Sequence, residues 1–112
     1  MTEEERFRCA AKACGKDLTG FGWNSFLNCF VFLGEGDPLI TWNPRDDAGD
    51  SRRLEVDCVM DVSRTRRAVD VRALVGPNCV EVEASQNCKS DPHAATRLAV
   101  LNCAIEIGKA MQ

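Results

Sequence analysis

In Leu54-Glu55-Val56-Asp57-Cys58-Val59-Met60-Asp61-Val62 the apolar Leu54, Val56, Cys58, Met60 and Val62 alternate with Glu55, Asp57, Val59 and Asp61, the period of a β-strand with one covered face. Two further strand-like runs follow it, Arg67 to Val75 and Cys79 to Ala84, joined by Gly76-Pro77-Asn78. The register of such a meander is constrained, because a slip of one residue turns every side chain to the opposite face. Pairing Val75 with Val80 sets Ala73 opposite Val82 and Val71 opposite Ala84. On the other face it sets Arg72 opposite Glu83, an opposite-charge pair. A turn at Ser63 to Arg66 then places Met60 against Val69, Cys58 against Val71 and Asp57 against Arg72. The meander so built has one apolar face and one solvent face carrying Asp57, Arg72 and Glu83.

Upstream, Phe26 to Leu33 reads as a strand with two apolar faces. Phe26, Phe30 and Phe32 point one way with Asn28; Leu27, Cys29, Val31 and Leu33 point the other. Such a strand is covered on both sides or lies in a subunit contact. Gly34 to Pro38 is a turn signal, and Leu39 to Trp42 is a short apolar run after it. Asn43 to Asp50 is polar and carries Pro44 and Gly49, so it forms a loop or one helical turn capped by Asp46 or Asp47.

Helices close both ends of the chain. Thr2 and Glu5 fit a capping box, Phe7, Ala10, Ala11 and Cys14 form one stripe, and Gly15 is a natural stop. Lys16 to Ser25, with Gly20, Gly22 and Trp23, reads as a loop. At the other end Ser90 or Asp91 caps a helix with Pro92 in its first position, running to about Met111. Asn102, Glu106 and Lys109 share a narrow polar arc on it. The wide remainder is apolar, which calls for packing on the sheet and on a second element or subunit. Arg97 falls near the centre of that apolar arc. It either snorkels, pairs with a buried acid or points into a cavity. The expected fold is α+β: a single domain over residues 1–112, with an antiparallel sheet of about four to five strands. An N-terminal helix and a long C-terminal helix pack on that sheet. Self-association as a dimer or higher oligomer is expected from the two-faced strand and the wide helical stripe.

The chain has 112 residues, 45% of them apolar and 28% charged, which excludes disordered and collagenous classes. No run approaches the ~18 apolar residues of a membrane span. A formal net charge of −3 lacks the basic excess of a duplex nucleic-acid binder and the acidic extreme of a DNA mimic. There are seven cysteines, an odd number, and the start Met1-Thr2-Glu3-Glu4-Glu5 is unlike a secretory signal. Reduced thiols in a cytosolic protein are therefore expected. No C-x-x-C pair occurs and His93 is the one histidine, so no metal and no cofactor is expected.

Catalytic constellations are scarce. Cys88 and His93 are a conceivable thiol–imidazole pair without a third orienting group. Asp46, Asp47 and Asp50 lack the spacing of a calcium loop. The chain is not expected to be an enzyme. Binding is better served. Thr41-Trp42-Asn43-Pro44-Arg45 sets a flat ring, an amide and a guanidinium together, with Arg52 and Arg53 close in sequence. A nucleobase stacks on such a ring and a phosphate suits an arginine fork. Trp42, Asn43, Arg45, Arg52, Arg53, Arg97 and Trp23 are the candidate ligand- or partner-binding residues.

Trp42-Asn43-Pro44-Arg45-Asp46-Asp47-Ala48-Gly49-Asp50, Leu54, Asp91-Pro92-His93-Ala94-Ala95-Thr96-Arg97 and Ala104-Ile105-Glu106-Ile107-Gly108 resemble small phage and prophage proteins with the phage ABA sandwich domain. The likeness runs from Trp42 onward and loosely over the N-terminal helix. In that family the segment after the acidic stretch is helical, whereas Leu54 to Val62 alternates here. Residues 46–60 therefore stand between helix and strand, and a short helical turn near Asp46 to Arg53 with a strand after it reconciles the two. The resemblance implies a phage-encoded counter-defence protein in a host bacterial cytoplasm, inhibiting a defence protein complex by binding, as anti-CRISPR proteins do. An alternative is a sponge for a nucleotide immune signal, a cyclic oligonucleotide or an ADP-ribose derivative, with Trp42 on the base and arginines on phosphate. A small cysteine- or metal-dependent enzyme is the second alternative.

Overall fold

A computed structural model of the chain describes residues 1–34, 40–76, 80–88 and 91–111. Its elements run α1 (Glu3–Cys14), β1 (Phe21–Asn24), β2 (Cys29–Phe32), β3 (Thr41–Trp42), α2 (Ala48–Asp57), β4 (Asp61–Arg64), β5 (Ala68–Val75), β6 (Val80–Asn87) and α3 (Pro92–Ala110). The class is α+β, as the patterning implies. The strands, however, form two antiparallel three-stranded sheets, β1-β2-β3 and β4-β5-β6, in place of one sheet of four to five.

The end helices follow their capping chemistry. The Glu5 amide donates to the Thr2 hydroxyl at 3.1 Å and the Thr2 amide donates to the Glu5 carboxylate at 3.2 Å. Gly15, at φ 72°, ends α1 in the left-handed region that glycine tolerates. Asp91 caps α3 by accepting from the amides of His93 and Ala94, both at 3.1 Å. Ser90, the other expected cap, lies outside the described residues. So do Glu35–Leu39 and Pro77–Cys79, where the two turn signals fall.

β5 and β6 pair in the expected register, with Val75 opposite Val80, Ala73 opposite Val82, Val71 opposite Ala84 and Arg72 opposite Glu83. The preceding pair does not. Asp61, not Asp57, lies opposite Arg72, and Val62, not Cys58, lies opposite Val71. The turn sits at Thr65–Ala68, where the Thr65 amide donates to the Ala68 carbonyl at 2.9 Å and the Thr65 hydroxyl accepts from the Arg67 and Ala68 amides. The slip is even-numbered, so an acid still faces Arg72.

The alternating run at Leu54 is where the strand expectation fails. Residues 48–57 are the helix α2, capped by Asp47, whose carboxylate accepts from the Asp50 amide at 2.9 Å. Leu54 is buried beside Asp50 and Ser51, which lie one turn earlier. Val56 and Val59 are exposed. The helix ends in a Schellman arrangement: the Val59 amide donates to the Val56 carbonyl and the Met60 amide to the Glu55 carbonyl.

Two further corrections concern the first sheet. The stretch holding Trp23, read as loop, contains β1. Gly22 fits there because the Leu33 side chain lies over it; a Cβ would stand 2.8 Å from Leu33 Cδ1. The next strand begins at Cys29, and Phe26 sits on the connecting turn, 94% exposed. Cys29, Phe30 and Val31 are all buried, so β2 is covered on both faces within one chain.

α3 packs against α1 on one side and on β5 and β6 on the other. The two helices meet closely at Gly108, where a Cβ would lie 1.9 Å from the Cys9 carbonyl oxygen. The wide apolar arc of α3, including Val100, Leu101, Cys103, Ala104 and Ile107, is thereby buried inside the chain. No helix among the described residues is long and apolar enough to cross a membrane.

Candidate functional site

The expected ring-and-guanidinium grip is not assembled. Trp42 is 6% exposed and stands edge-on to Phe7, ring centroids 5.9 Å apart. Trp23 is half-buried in the same cluster, 5.3 Å from Phe7 and 5.1 Å from Phe30. Both indoles are core anchors, because β1 to β3 are short and a few large rings must fasten them to α1.

The polar residues around Trp42 are spent on one another. The Asn43 amide donates to the buried Asp50 carboxylate at 2.9 Å, and its side-chain carbonyl accepts from the Asp46 amide at 3.2 Å. Arg45 donates to Asp46 at 2.7 and 2.9 Å and to the Asn28 carbonyl at 3.0 Å. It lies over the Phe7 ring, and its buried Nη1, 3.7 Å from Glu3, has no hydrogen-bond partner among the described residues. Arg97 donates from Nε to the Arg45 carbonyl at 3.1 Å, so its place on the apolar arc serves a structural bond. Hydrogen bonds from Arg45 and then Asn43, with the charges of Arg45 and Arg97, hold the Asp46 carboxyl below its usual range. This segment is a clasp joining α1, the β1–β2 turn and α3. Arg52 and Arg53 are exposed and paired along α2, with Glu55 at 3.1 Å and Asp50 at 2.6 Å.

A cavity of about 420 Å³ opens beside this clasp, between the C-terminal end of α1, β3 and α2. Trp42, Ile40 and Phe21 give it apolar walls. Asp17, Asp50 and Asp57 outnumber Lys16 and Arg53 around it, a balance unfavourable to a phosphate. Among the described residues lining this cavity, Arg53 is paired with Asp50, so no unpaired arginine stands beside the Trp42 ring there.

Burial pushes the Cys58 thiol up to about 12 and the Cys103 thiol up to about 11, and raises Cys14 and Cys29 as well. A nucleophilic cysteine needs the opposite shift. His93 is exposed at the start of α3. Among the described residues no three His, Cys, Asp or Glu side chains are grouped to hold a metal ion.

The surface that does stand ready was not legible from motifs. Val59 has φ 51°, a left-handed backbone that a β-branched side chain strongly disfavours. Its side chain is 83% exposed and so contributes almost nothing to the core. Leu74 is 66% exposed nearby, and the two share a shallow groove with Asp61, Arg72, Ala73 and Glu81. The solvent face of β4-β5-β6 carries Asp61, Asp70, Glu81 and Glu83 against Arg72. An apolar pair is thus set in an acidic sheet face. The one available signal was a valine where the end of a helix calls for glycine. Compared with protein-family models, with curated proteins and with solved structures, the chain returned no match.

Proposed function

We propose that this chain is a phage-encoded counter-defence protein that inhibits a bacterial defence protein complex by binding it in the host cytoplasm, without catalysis. The phage setting rests on the likeness of Trp42–Asp50 and Asp91–Arg97 to the phage ABA sandwich proteins. The binding reading rests on Val59. Backbone strain retained at an exposed apolar residue is a cost the fold does not need, and such strain is characteristic of functional positions. Beside it Leu74 adds apolar area, while Asp61, Glu81 and Glu83 set the sign of the rim. A partner surface with an apolar pocket bordered by lysines and arginines fits this face, and opposite charges across an interface speed encounter and select the partner.

The experiment is phage plating on bacteria that carry individual defence systems and express this chain. Plating recovers against one system with the wild-type chain, and recovery is lost with Val59→Gly combined with Leu74→Ser. It persists with His93→Ala and with Cys88→Ser. Recovery that survives the face variant, or that fails against every system, overturns the reading.

A further inference from the structure

β6 is an eight-residue strand at the end of its sheet, with β5 on one side and no described strand on the other. Long unpaired edges are templates for further pairing. The inward residues of β5, Val69, Val71 and Ala73, are buried, whereas the inward residues Val82, Ala84 and Gln86 of β6 are only half-buried. The covering layer thus falls short at this edge.

We propose that β6 pairs with β6 of a second copy of this chain, antiparallel and centred on Ala84, to make one six-stranded sheet. Charge favours this occupant and excludes the registers centred toward the Val80 end. Directly opposed residues in an antiparallel pair share a face. Centring on Ala84 sets Glu81 opposite Asn87 and Glu83 opposite Ser85 of the second copy, whereas centring on Val82 or Glu83 opposes glutamates. The Asn87 end of β6 lies beside Ala68 and the turn that carries the exposed Arg64, Arg66 and Arg67. The acidic end of each strand is therefore carried to the basic turn of the other copy, twice by symmetry. α3 sits over β5 and β6 together, so the two α3 axes come about 10 Å apart, the spacing of packed helices. The axis is perpendicular to the sheet, so both solvent faces point the same way. This inference stands without the proposed function.

Sedimentation velocity from micromolar to submillimolar protein tests it, on chains whose folding is checked by circular dichroism. A dimer that weakens with salt is expected, of modest affinity because a strand pair is a small interface. Glu81→Lys and Arg67→Glu each weaken it about tenfold, and the two together restore it. Ala84→Cys gives a covalent dimer on oxidation, since residues on the axis come within disulfide reach; Val82→Cys and the wild-type chain do not. A monomer throughout that range, or a dimer indifferent to both charge reversals and not cross-linked through position 84, overturns the proposal.

Discussion

The two sheets of this protein are fastened in opposite ways. β1, β2 and β3 are two to four residues long and are held by rings: Trp23 and Trp42 stand edge-on to Phe7 of α1, and Phe30 packs against both indoles. β5 and β6 are eight residues long and are held by repetition, with Val69, Val71 and Ala73 making a ladder of small contacts under α3. A ring-fastened sheet concentrates its stability in a few side chains and has none to spare for a ligand. A ladder-fastened sheet spreads it out, and its outer face is left to do something else. That is why the tryptophans, the obvious recognition residues by type, belong to the core, and why the accessible face is an acidic one with no aromatic on it.

The contrast is broken most severely at Trp42. Trp42→Ala removes the ring that joins β3 to Phe7, and a loss of about 4 kcal/mol is expected by denaturant titration. A loss below about 1 kcal/mol would mean that the rings do not carry the first sheet.

Val59→Gly runs the other way. Glycine adopts the left-handed backbone without penalty, so the variant is expected to be more stable by about 1 kcal/mol. Its melting temperature rises while partner binding falls. A variant no more stable than the parent would remove the strain from the argument.

How much of this was legible follows the same division. Repetition is visible in sequence, so the β5–β6 register, down to Arg72 opposite Glu83, was read directly. Caps are visible too, because Thr2, Glu5, Gly15 and Asp91 act through local hydrogen bonds. The first sheet was not legible. Gly20 and Gly22 look like loop, and only the Leu33 side chain over Gly22 explains a strand there. α2 was disguised in its own way. Its buried stripe is Asp50, Ser51 and Leu54, two polar residues and one apolar, so no helical hydrophobic period appears. Meanwhile Val56, exposed in the fold, falls in step with Leu54, Cys58 and Met60 and supplies a false strand period. The candidate site failed for a related reason: residue type marks Trp42 and Arg45 as able to bind, but only packing decides whether they are already occupied.

A pH titration sharpens the comparison on the side of the second sheet, where the Cys103 thiol lies 3.9 Å from the Val82 carbonyl oxygen. Burial favours the neutral Cys58 and Cys103 thiols in the folded chain, while in the unfolded chain they ionise near the usual 9.0. Stability from this source is full below pH 9 and declines as pH rises toward 11 and 12, because the unfolded state loses its protons first. Cys58→Ala is expected to flatten that decline. Stability that is level across this window in the parent chain would show the thiols to be open to water.

The smallest effect is expected at Arg72, and its smallness is informative. The guanidinium lies 3.9 Å from both Glu81 and Glu83, with all three side chains about half exposed, so solvent screens the pairs. Arg72→Gln should change stability by less than about 0.5 kcal/mol, even though the residue occupies the centre of the central strand. Removing its charge leaves the face of Asp61, Asp70, Glu81 and Glu83 without a cation of its own among the described residues. Association with a basic partner should then quicken, and more so at low salt, where long-range attraction is least screened. A stability loss approaching that of Trp42→Ala would place Arg72 among the fasteners of the second sheet, and the division between a ring-fastened sheet and one with a disposable outer face would no longer hold.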